Sequence, residues 1–264
     1  MTDLWTAVKD LPLTIESSAV EVLLPAGATD REDFSTTHLL LRGRGEEGLG
    51  EQVGMPEDQE GLRTGDHPLA GSWATLADFL SYLDTIDMWP EPPEHELQRN
   101  WRRWTFESAA LDLALRQAAT SLPEVLGRVP RPVRFVTSFG LGDPPDGGKV
   151  ADRRRAHLTV GFKLDVAPSW TQEIMDRVAA VDGVGRLQEL SRLYAHCESA
   201  GIRMYNGGMG ELGAGRGQAQ LLAALFHPDA PNDIAPSGYN LETLPPGLPA
   251  SPLDPAPGRG FRRR

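Results

Sequence analysis

Apolar residues in the first half of the chain come in short alternating runs. Alternation predicts strands, here over residues 13–24, 38–44 and 49–53, with a turn at 46–48 before the last of them. Strands that follow one another through short turns predict an antiparallel meander. The next stretch, 58–71, is polar and predicts a loop.

Two segments then carry apolar residues three and four positions apart, which predicts helices. The first spans residues 72–87, and Thr75 with Asp78 resembles an N-cap pair near its start. The second spans 101–122. Their apolar faces consist of Leu76, Phe79, Leu80, Leu83 and Ile86 in the first helix and of Trp101, Trp104, Leu111, Leu115 and Ala118 in the second.

The second half of the chain has a different pattern of predicted secondary structure, in which strands and helices alternate. Residues 132–138 and 157–164 predict buried strands, and the glycine- and proline-rich stretch 140–148 between them predicts a loop. Helices are predicted from Ser169 and over 187–200. Alternating strands and helices predict a parallel α/β arrangement, whereas the first half is typical of α+β.

Residues 201–236 combine an apolar run, a glycine-rich loop and an apolar helical pattern, which predicts a strand, a loop and a helix in that order. Glycine lets the backbone turn sharply and approach a ligand closely. The free N–H groups at the start of a helix bind anions, so this loop is a candidate site for a carboxylate or a phosphate. The alternative is a tight strand-to-helix connection without a ligand.

A dinucleotide site is a further interpretation of the same stretch. Gly208, Gly210 and Gly213 fit G-x-G-x-x-G, and Asp233 lies about 20 residues further on, as that motif requires. Prolines crowd the place where the second strand of such a site runs, which argues against it. These prolines are Pro228, Pro231 and Pro236.

The amino-acid composition indicates which partners and which cellular compartment are expected for this protein. A net charge of −11 disfavours nonspecific binding to nucleic acid or to an anionic membrane. The single cysteine, Cys197, excludes an internal disulfide, and neither a membrane-spanning apolar run nor a signal-peptide pattern is present. We therefore expect a cytoplasmic protein with no membrane and no nucleic-acid partner.

Other candidate residues carry weaker signals. Glu107 and Asp112 lie on the second predicted helix away from its apolar face, where we expect a solvated or end-capping role. The six histidines are scattered and form neither H-E-x-x-H nor H-x-H, which argues against a zinc site. No G-x-S-x-G is present, which disfavours an α/β-hydrolase.

Four strings, in order along the chain, resemble motifs of the enolase superfamily, in its muconate-lactonizing and o-succinylbenzoate synthase branch. The first ends in the G-x-G-E of that family's capping domain, the second contains A-x-D-x-A-L, the third matches part of K-x-K, and the fourth matches G-x-x-E-x-G-x-G. The strings span residues 43–51, 106–115, 162–165 and 208–215.

This resemblance implies a fold and a chemistry. In the family, a magnesium ion held by acids of the third, fourth and fifth barrel strands stabilises an enolate formed by proton abstraction beside a carboxylate. On the matching positions, Lys163 and Glu211 are the candidate catalytic residues and a small carboxylate is the implied ligand. The candidate substrate-binding residues are Asn206, Gly207, Gly208, Gly210 and Arg216.

The chain departs from the family in length and in ligands. The second lysine of K-x-K is replaced by Asp165, and only 134 residues follow Pro130, whereas a complete (β/α)₈ barrel takes about 250. No segment near 182–185 supplies barrel strands three to six, so no ligands for Mg²⁺ are found in this chain.

The sequence therefore predicts an α+β capping domain (1–130), an incomplete α/β (β/α) barrel (131–239) and a proline-rich tail (240–264). We expect an enolase-like protein of lyase, racemase or cycloisomerase ancestry with impaired magnesium-dependent activity. The alternative is a non-catalytic protein that uses the loop 207–217 to bind an anion. A shortened barrel exposes strand edges, which predicts a homo-oligomer, a rearranged compact sheet or low stability.

Overall fold

The computed structural model describes residues 4–25, 35–54, 56–89, 92–93, 96–156, 158–164, 205–208, 210–239, 244–255 and 258–262. The chain forms two compact units. The first comprises Met1–Pro130, Met209–Leu221 and Ala256–Arg264, and the second comprises Arg131–Gly208 and Leu222–Pro255. Two stretches beyond residue 130 thus belong to the first unit. The domain bounds 1–130, 131–239 and 240–264 remain predictions.

The predicted antiparallel meander is confirmed in the first unit. Its strands are β2 (Ser17–Leu23), β3 (Thr36–Gly43) and β4 (Glu46–Gln52), which pair in that order with a turn at Arg44 and Gly45. Ahead of them lie a short helix, α1 (Leu4–Val8), and a strand, β1 (Leu13–Ile15). Strand β1 pairs with β5 (Gly71–Trp73) as a separate two-stranded sheet.

The first predicted helix, 72–87, is shorter in the structure. It is α3 (Leu76–Leu83), because residues 71–73 are taken by β5. The predicted N-cap pair is confirmed: the Asp78 N–H donates to the Thr75 hydroxyl and the Thr75 N–H donates to the Asp78 carboxylate, both at 3.0 Å.

The second predicted helix, 101–122, begins earlier, as α4 (Glu96–Gln117), and is followed by the short α5 (Leu122–Leu126). Helix α4 packs on β4, and two glycines of that strand make the approach close. A Cβ atom on Gly48 would lie 2.3 Å from the Ala109 carbonyl oxygen, and one on Gly50 would lie 2.0 Å from that of Thr105. The buried face of α4 includes Phe106 and Leu113, whereas Trp104, predicted on the apolar face, is exposed.

Residues 58–71, predicted as a loop, contain a helix, α2 (Pro56–Thr64), so this prediction is wrong. Its buried residues include Asp58 and Gln59 beside a single leucine, Leu62, so the helix has no repeated apolar spacing. Gln59 donates to the Ser35 carbonyl oxygen at 2.5 Å, and the backbone carbonyl of Asp58 accepts from the fully buried guanidinium of Arg102. Burial lowers the pKa of Arg102 to about 10, and its guanidinium stacks 4.3 Å from the ring centre of Trp89.

Parallel pairing is confirmed in the second unit. Strands β6 (Val136–Phe139) and β7 (Gly161–Leu164) run parallel with Ser138 opposite Lys163. The connection between them contains α6 (Gly148–Ala156), which the sequence analysis did not predict because Val150 is its single buried apolar residue. Phe139 and a buried cluster cover one face of this sheet; the cluster consists of Leu141, Val150, Phe162 and Leu164.

Two further segments extend the parallel arrangement by bridges. Phe135 pairs with Asn232, and Gly207 pairs with Asp233, so four segments lie side by side in the order β7, β6, 232–233 and 206–208. The last two segments are connected through the final helix, α7 (Ala214–Phe226). Prolines therefore do not prevent a second strand here, because they flank the paired residues. Over the described ranges the sheet does not close, and the fold is mixed α/β.

Some predictions lie outside the described residues. These are the helices from Ser169 and over 187–200, and the position of Asp165. Within the parts of the chain that the structure covers, no helix combines the length and the apolar composition needed to cross a bilayer.

The described parts of the last 25 residues pack against the rest of their units. Leu253 pairs with Val133 in the second unit, and Gly260 pairs with Ser121 in the first. Phe261 is fully buried. These contacts make the end of the chain part of the two cores.

Candidate functional site

The glycine-rich loop already holds a carboxylate, which comes from Glu51 at the end of β4. The backbone N–H groups of Leu212, Gly213 and Gly215 donate to its two oxygens, at 2.6, 3.0 and 2.8 Å. The Thr36 hydroxyl donates to the same carboxylate at 2.6 Å. Glu51 thus satisfies the unpaired N–H groups at the beginning of α7 and places a negative charge at the positive end of the helix.

A histidine completes this cap. The Ala214 N–H donates to Nε2 of His38 at 3.0 Å, which requires a neutral ring with its proton on Nδ1. Burial lowers the pKa of His38 and favours that neutral form, against the attraction of Glu51. A Cβ atom on Gly213 would lie 2.4 Å from Nε2 of His38, so only glycine fits there.

This geometry explains the G-x-G-E string as a packing device. Along β4, Gly48 and Gly50 face α4, while Leu49 and Glu51 face the other side, where Ala214 packs on Leu49. Each of the four residues has a defined structural role. The sequence analysis predicted an anion at the start of this helix, and the anion found there is part of the chain itself.

Asp112, in the string that resembles A-x-D-x-A-L, is fully buried, so the expectation of a solvated role is wrong. Its carboxylate accepts from the backbone N–H groups of Leu49 at 3.1 Å and Phe261 at 2.8 Å. It also contacts Arg116 at 3.1 Å and Arg262 at 3.3 Å. Asp112 therefore joins α4 to β4 and to the end of the chain.

Glu107 remains at the surface, as expected. Its side chain is 28% exposed and pairs with Arg103 at 2.5 Å, one turn earlier on the same helix. Glu107 and Asp112 of α4 thus have opposite roles, and only tertiary contacts distinguish them.

A second charged pair lies on the parallel sheet of the second unit. Nζ of Lys163 lies 3.0 Å from Oδ2 of Asp233, and the two side chains are 31% and 11% exposed. Residues in register on parallel strands direct their side chains to the same face, so Lys163 shares its face with Ser138. That face is polar and partly exposed, whereas the opposite face carries Phe162 and Leu164 in the core.

Asn232, beside Asp233, ties three parallel segments together, and the sequence analysis did not single it out. Its Oδ1 accepts from the Asn206 N–H at 2.8 Å and contacts Nδ1 of His227 at 2.7 Å. Its Nδ2 donates to the Arg134 carbonyl oxygen at 3.0 Å. The available signal was an Asn-Asp pair directly before an apolar Ile-Ala, which is a polar residue pair at the start of a buried segment.

The predicted site residues fall into two sets, each within its own unit. In the second unit, Lys163 contacts Asp233, and the segment 206–208 lies next to Asp233. The Asp233 N–H donates to the Asn206 carbonyl oxygen, and the Asp233 carbonyl oxygen accepts from the Gly208 N–H, both at 2.7 Å. Gly207 is the residue bridged to it. In the first unit are Gly210, Glu211 and Arg216.

Glu211 and Arg216 form an ion pair. Nη2 of Arg216 lies 3.4 Å from Oε2 of Glu211, and Nε donates to the Glu211 carbonyl oxygen at 3.2 Å. The two side chains are 13% and 15% exposed. The roles predicted for both residues, in catalysis and in substrate binding, remain predictions.

The described residues do not fit the magnesium ion that the resemblance implies. Among the described residues, no three histidine, cysteine, aspartate or glutamate side chains are grouped so as to hold a metal. The nearest acid to Lys163 on the polar sheet face, Asp233, is already paired with it.

Comparison with solved structures returns enolase-superfamily proteins at low similarity. One is a mandelate racemase/muconate lactonizing enzyme from Bordetella bronchiseptica RB50, with 14% identity and a TM-score of 0.42 over 63% of this chain and 56% of that one. Another is a muconate cycloisomerase from Azorhizobium caulinodans, with 20% identity and a TM-score of 0.41 over 60% and 43%.

A third is an enolase from Bradyrhizobium complexed with magnesium and mandelic acid, with 13% identity and a TM-score of 0.40 over 64% and 59%. The chain spans about half the length of the solved structures it matches. No curated protein matches the sequence.

Family models match both halves of the sequence. The N-terminal domain of DUF8230, a domain of unknown function, matches residues 6–125. The C-terminal domain of DUF8230 matches residues 129–185 and 183–241, two stretches that meet at 183–185. The chain carries both domains in order and belongs to the DUF8230 family.

Proposed function

We propose that this protein is an enolase-superfamily relative that binds a small carboxylate on the polar face of its parallel sheet, with Lys163 as the anion-binding group. The observation that carries the proposal is the Lys163–Asp233 pair, with Nζ 3.0 Å from Oδ2 and the lysine side chain 31% exposed. Parallel α/β sheets bind ligands beyond the carboxyl ends of their strands, and Lys163 is the third of four residues in β7.

The chemistry of this pair favours binding over proton abstraction. A base must present a neutral amine to the proton it removes. A lysine held against a carboxylate is an ammonium, whose positive charge and N–H donors attract an anionic ligand. An incoming carboxylate would share the ammonium with Asp233 and lie on the polar face beside Ser138.

On this proposal, the chain is impaired in the ancestral chemistry, which is magnesium-dependent proton abstraction next to a carboxylate. The observation that supports the impairment is that, among the described residues, no three histidine, cysteine, aspartate or glutamate side chains lie together so as to hold a metal ion.

The experiment uses the small number of lysines in this chain, which are Lys9, Lys149 and Lys163. Lysine-selective ¹³C labelling gives one set of side-chain NMR signals for each. Benzoate and mandelate are titrated into the wild type, K163Q and K149Q. Lys149, on α6 in the same unit, is the matched control because K149Q removes the same charge.

The expected result is that the Lys163 signals shift on titration and that K163Q weakens binding about tenfold or more, the loss of one charged hydrogen bond. K149Q should bind as the wild type does. Equal weakening in K163Q and K149Q would mean that only overall charge matters and would refute the site. Calorimetry with Mg²⁺ tests the impairment separately: micromolar binding would contradict it.

A further inference from the structure

The second unit contains a cleft near the amino ends of its parallel strands. Its volume is about 440 Å³, which lies within the range of sites for small molecules. The cleft reaches Val136 and Gly161, which are in register at the start of β6 and β7, two residues before Ser138 and Lys163. Two residues of strand span about 7 Å, and Lys163 is not among the residues that line the cleft, so the two proposed sites use different side chains.

Two arginines from different elements line this cleft: Arg134, just before β6, and Arg154, on α6. Arg134 is exposed, and within the covered parts of the chain its guanidinium has no partner. Arg154 is held in place: Nη1 donates to the Leu158 carbonyl oxygen at 2.6 Å, and the guanidinium stacks 4.8 Å from the Phe162 ring centre. Its Nε is buried with no hydrogen-bond partner among the described residues.

Two hydroxyl groups add donors to the same cleft. The Ser251 hydroxyl oxygen accepts from the Phe135 N–H at 3.1 Å, and the Thr159 hydroxyl oxygen accepts from the Ser251 N–H at 3.2 Å. Because both oxygens accept from backbone donors, each hydroxyl keeps its own proton to donate. These hydroxyls therefore present donors rather than acceptors to a ligand.

The charge of the lining favours an anion with several acceptor oxygens. Asp229 is the one acidic residue on the lining, and Nη2 of Arg131 neutralises it at 2.7 Å. The remaining charges, from Arg134 and Arg154, are both positive in a chain whose net charge is −11. Guanidinium groups bind phosphate through paired N–H donors. Much of the remaining wall is apolar, formed by Val136, Ala230, Pro231 and Pro252.

We propose that this cleft binds the phosphate group of a small phosphate monoester, through Arg134 and Arg154, with the apolar wall contacting the organic part. Two guanidinium groups and two hydroxyl donors match the oxygens of a phosphate better than the two oxygens of a carboxylate. This inference does not depend on the function proposed for Lys163.

The test measures binding of phenyl phosphate and of inorganic phosphate to the full chain by calorimetry, with benzoate as the carboxylate counterpart of phenyl phosphate. The variants are R134Q, R154Q and their combination. R155Q is the matched control, because Arg155 lies next to Arg154 on α6 and pairs with Asp152 instead of lining the cleft. Circular dichroism and a thermal melt verify that each variant folds.

Phenyl phosphate should bind more tightly than inorganic phosphate and benzoate, since it uses both the charged and the apolar part of the cleft. Each single variant should weaken binding about tenfold, and R155Q and K163Q should leave it within about twofold. If R134Q folds and binds phenyl phosphate as the wild type does, the proposal is overturned. It is overturned equally if R155Q weakens binding as much as R154Q.

Discussion

Glu51 in the first unit and Asp233 in the second are both acids of strand segments, yet their surroundings differ. The Glu51 side chain is fully buried and receives three backbone N–H groups and a hydroxyl. Asp233 is 11% exposed and faces a lysine that is 31% exposed. A carboxylate fully satisfied by its own chain stabilises the fold. A partly exposed pair of opposite charges can exchange partners with a ligand.

The strings that resemble enolase-superfamily motifs differ in the same way, since some supply buried structural residues and one supplies a partly exposed residue. The two strings in the first half supply Glu51 and Asp112, both of which serve packing. The string at 162–165 supplies Lys163, which lies on a partly exposed polar face. Resemblance to a family of enzymes therefore does not by itself mark a residue as catalytic, and burial with complete hydrogen bonding is the physical criterion that divides the set.

The largest effect should come from Glu51. We expect E51Q to lower the free energy of unfolding by roughly 3–5 kcal/mol, because the amide turns donors toward the N–H groups that the carboxylate accepts. Urea denaturation measures it. The matched control is E47Q on the same strand, whose exposed pair with Arg42 should be worth about 1 kcal/mol or less. Equal stability of E51Q and E47Q would contradict the structural role assigned to the Glu51 carboxylate.

Asp112 should give the next largest effect. D112N should cost roughly 2–4 kcal/mol, since it weakens the bonds from Leu49 and Phe261 and leaves the charges of Arg116 and Arg262 without their carboxylate. E107Q, on the same helix but at the surface, should cost about 1 kcal/mol or less. Chemical denaturation measures the stability of both variants, and a larger loss in E107Q than in D112N would contradict the prediction.

Buried histidines should make the fold sensitive to acid. Burial lowers the pKa values of His38, His67 and His227, so the unfolded chain binds protons that the folded chain does not. Stability is complete above the unfolded value of about 6.5 and falls as the pH drops below it, by at most about 1.4 kcal/mol per pH unit for each histidine.

Unfolding measured from pH 7.5 to 5 checks this, and H38Q should flatten the slope. Protonation of His38 removes the acceptor of the Ala214 N–H, so the cap of α7 is one of the places where acid acts. An identical slope in H38Q and the wild type would show that His38 carries none of the dependence.

Lys163 should have the smallest effect on stability. K163Q should change the free energy of unfolding by about 1 kcal/mol or less, because its pair with Asp233 is partly exposed. A loss as large as that of E51Q would mean that the pair is structural and would erase the contrast between the two units. Binding of benzoate, described above, is the property that this substitution should alter.

The sequence by itself determined the antiparallel meander, the capping box at Thr75 and Asp78, and the parallel pairing of the second half. It did so because alternation, helical spacing and cap residues are local patterns that tertiary contacts here reinforce. It also predicted an anion at the glycine-rich start of a helix, since glycines and unpaired N–H groups are visible in the sequence.

Only the tertiary structure decided which anion that is. The donors of residues 212–215 and the carboxylate of Glu51 lie more than 150 positions apart in the chain, and no local pattern links them. The same holds for Asp112, which the sequence placed on the polar side of a helix, and for α2, whose buried residues include the polar Asp58 and Gln59. Buried polar contacts have no hydrophobic period, so they appear only when the chain is folded.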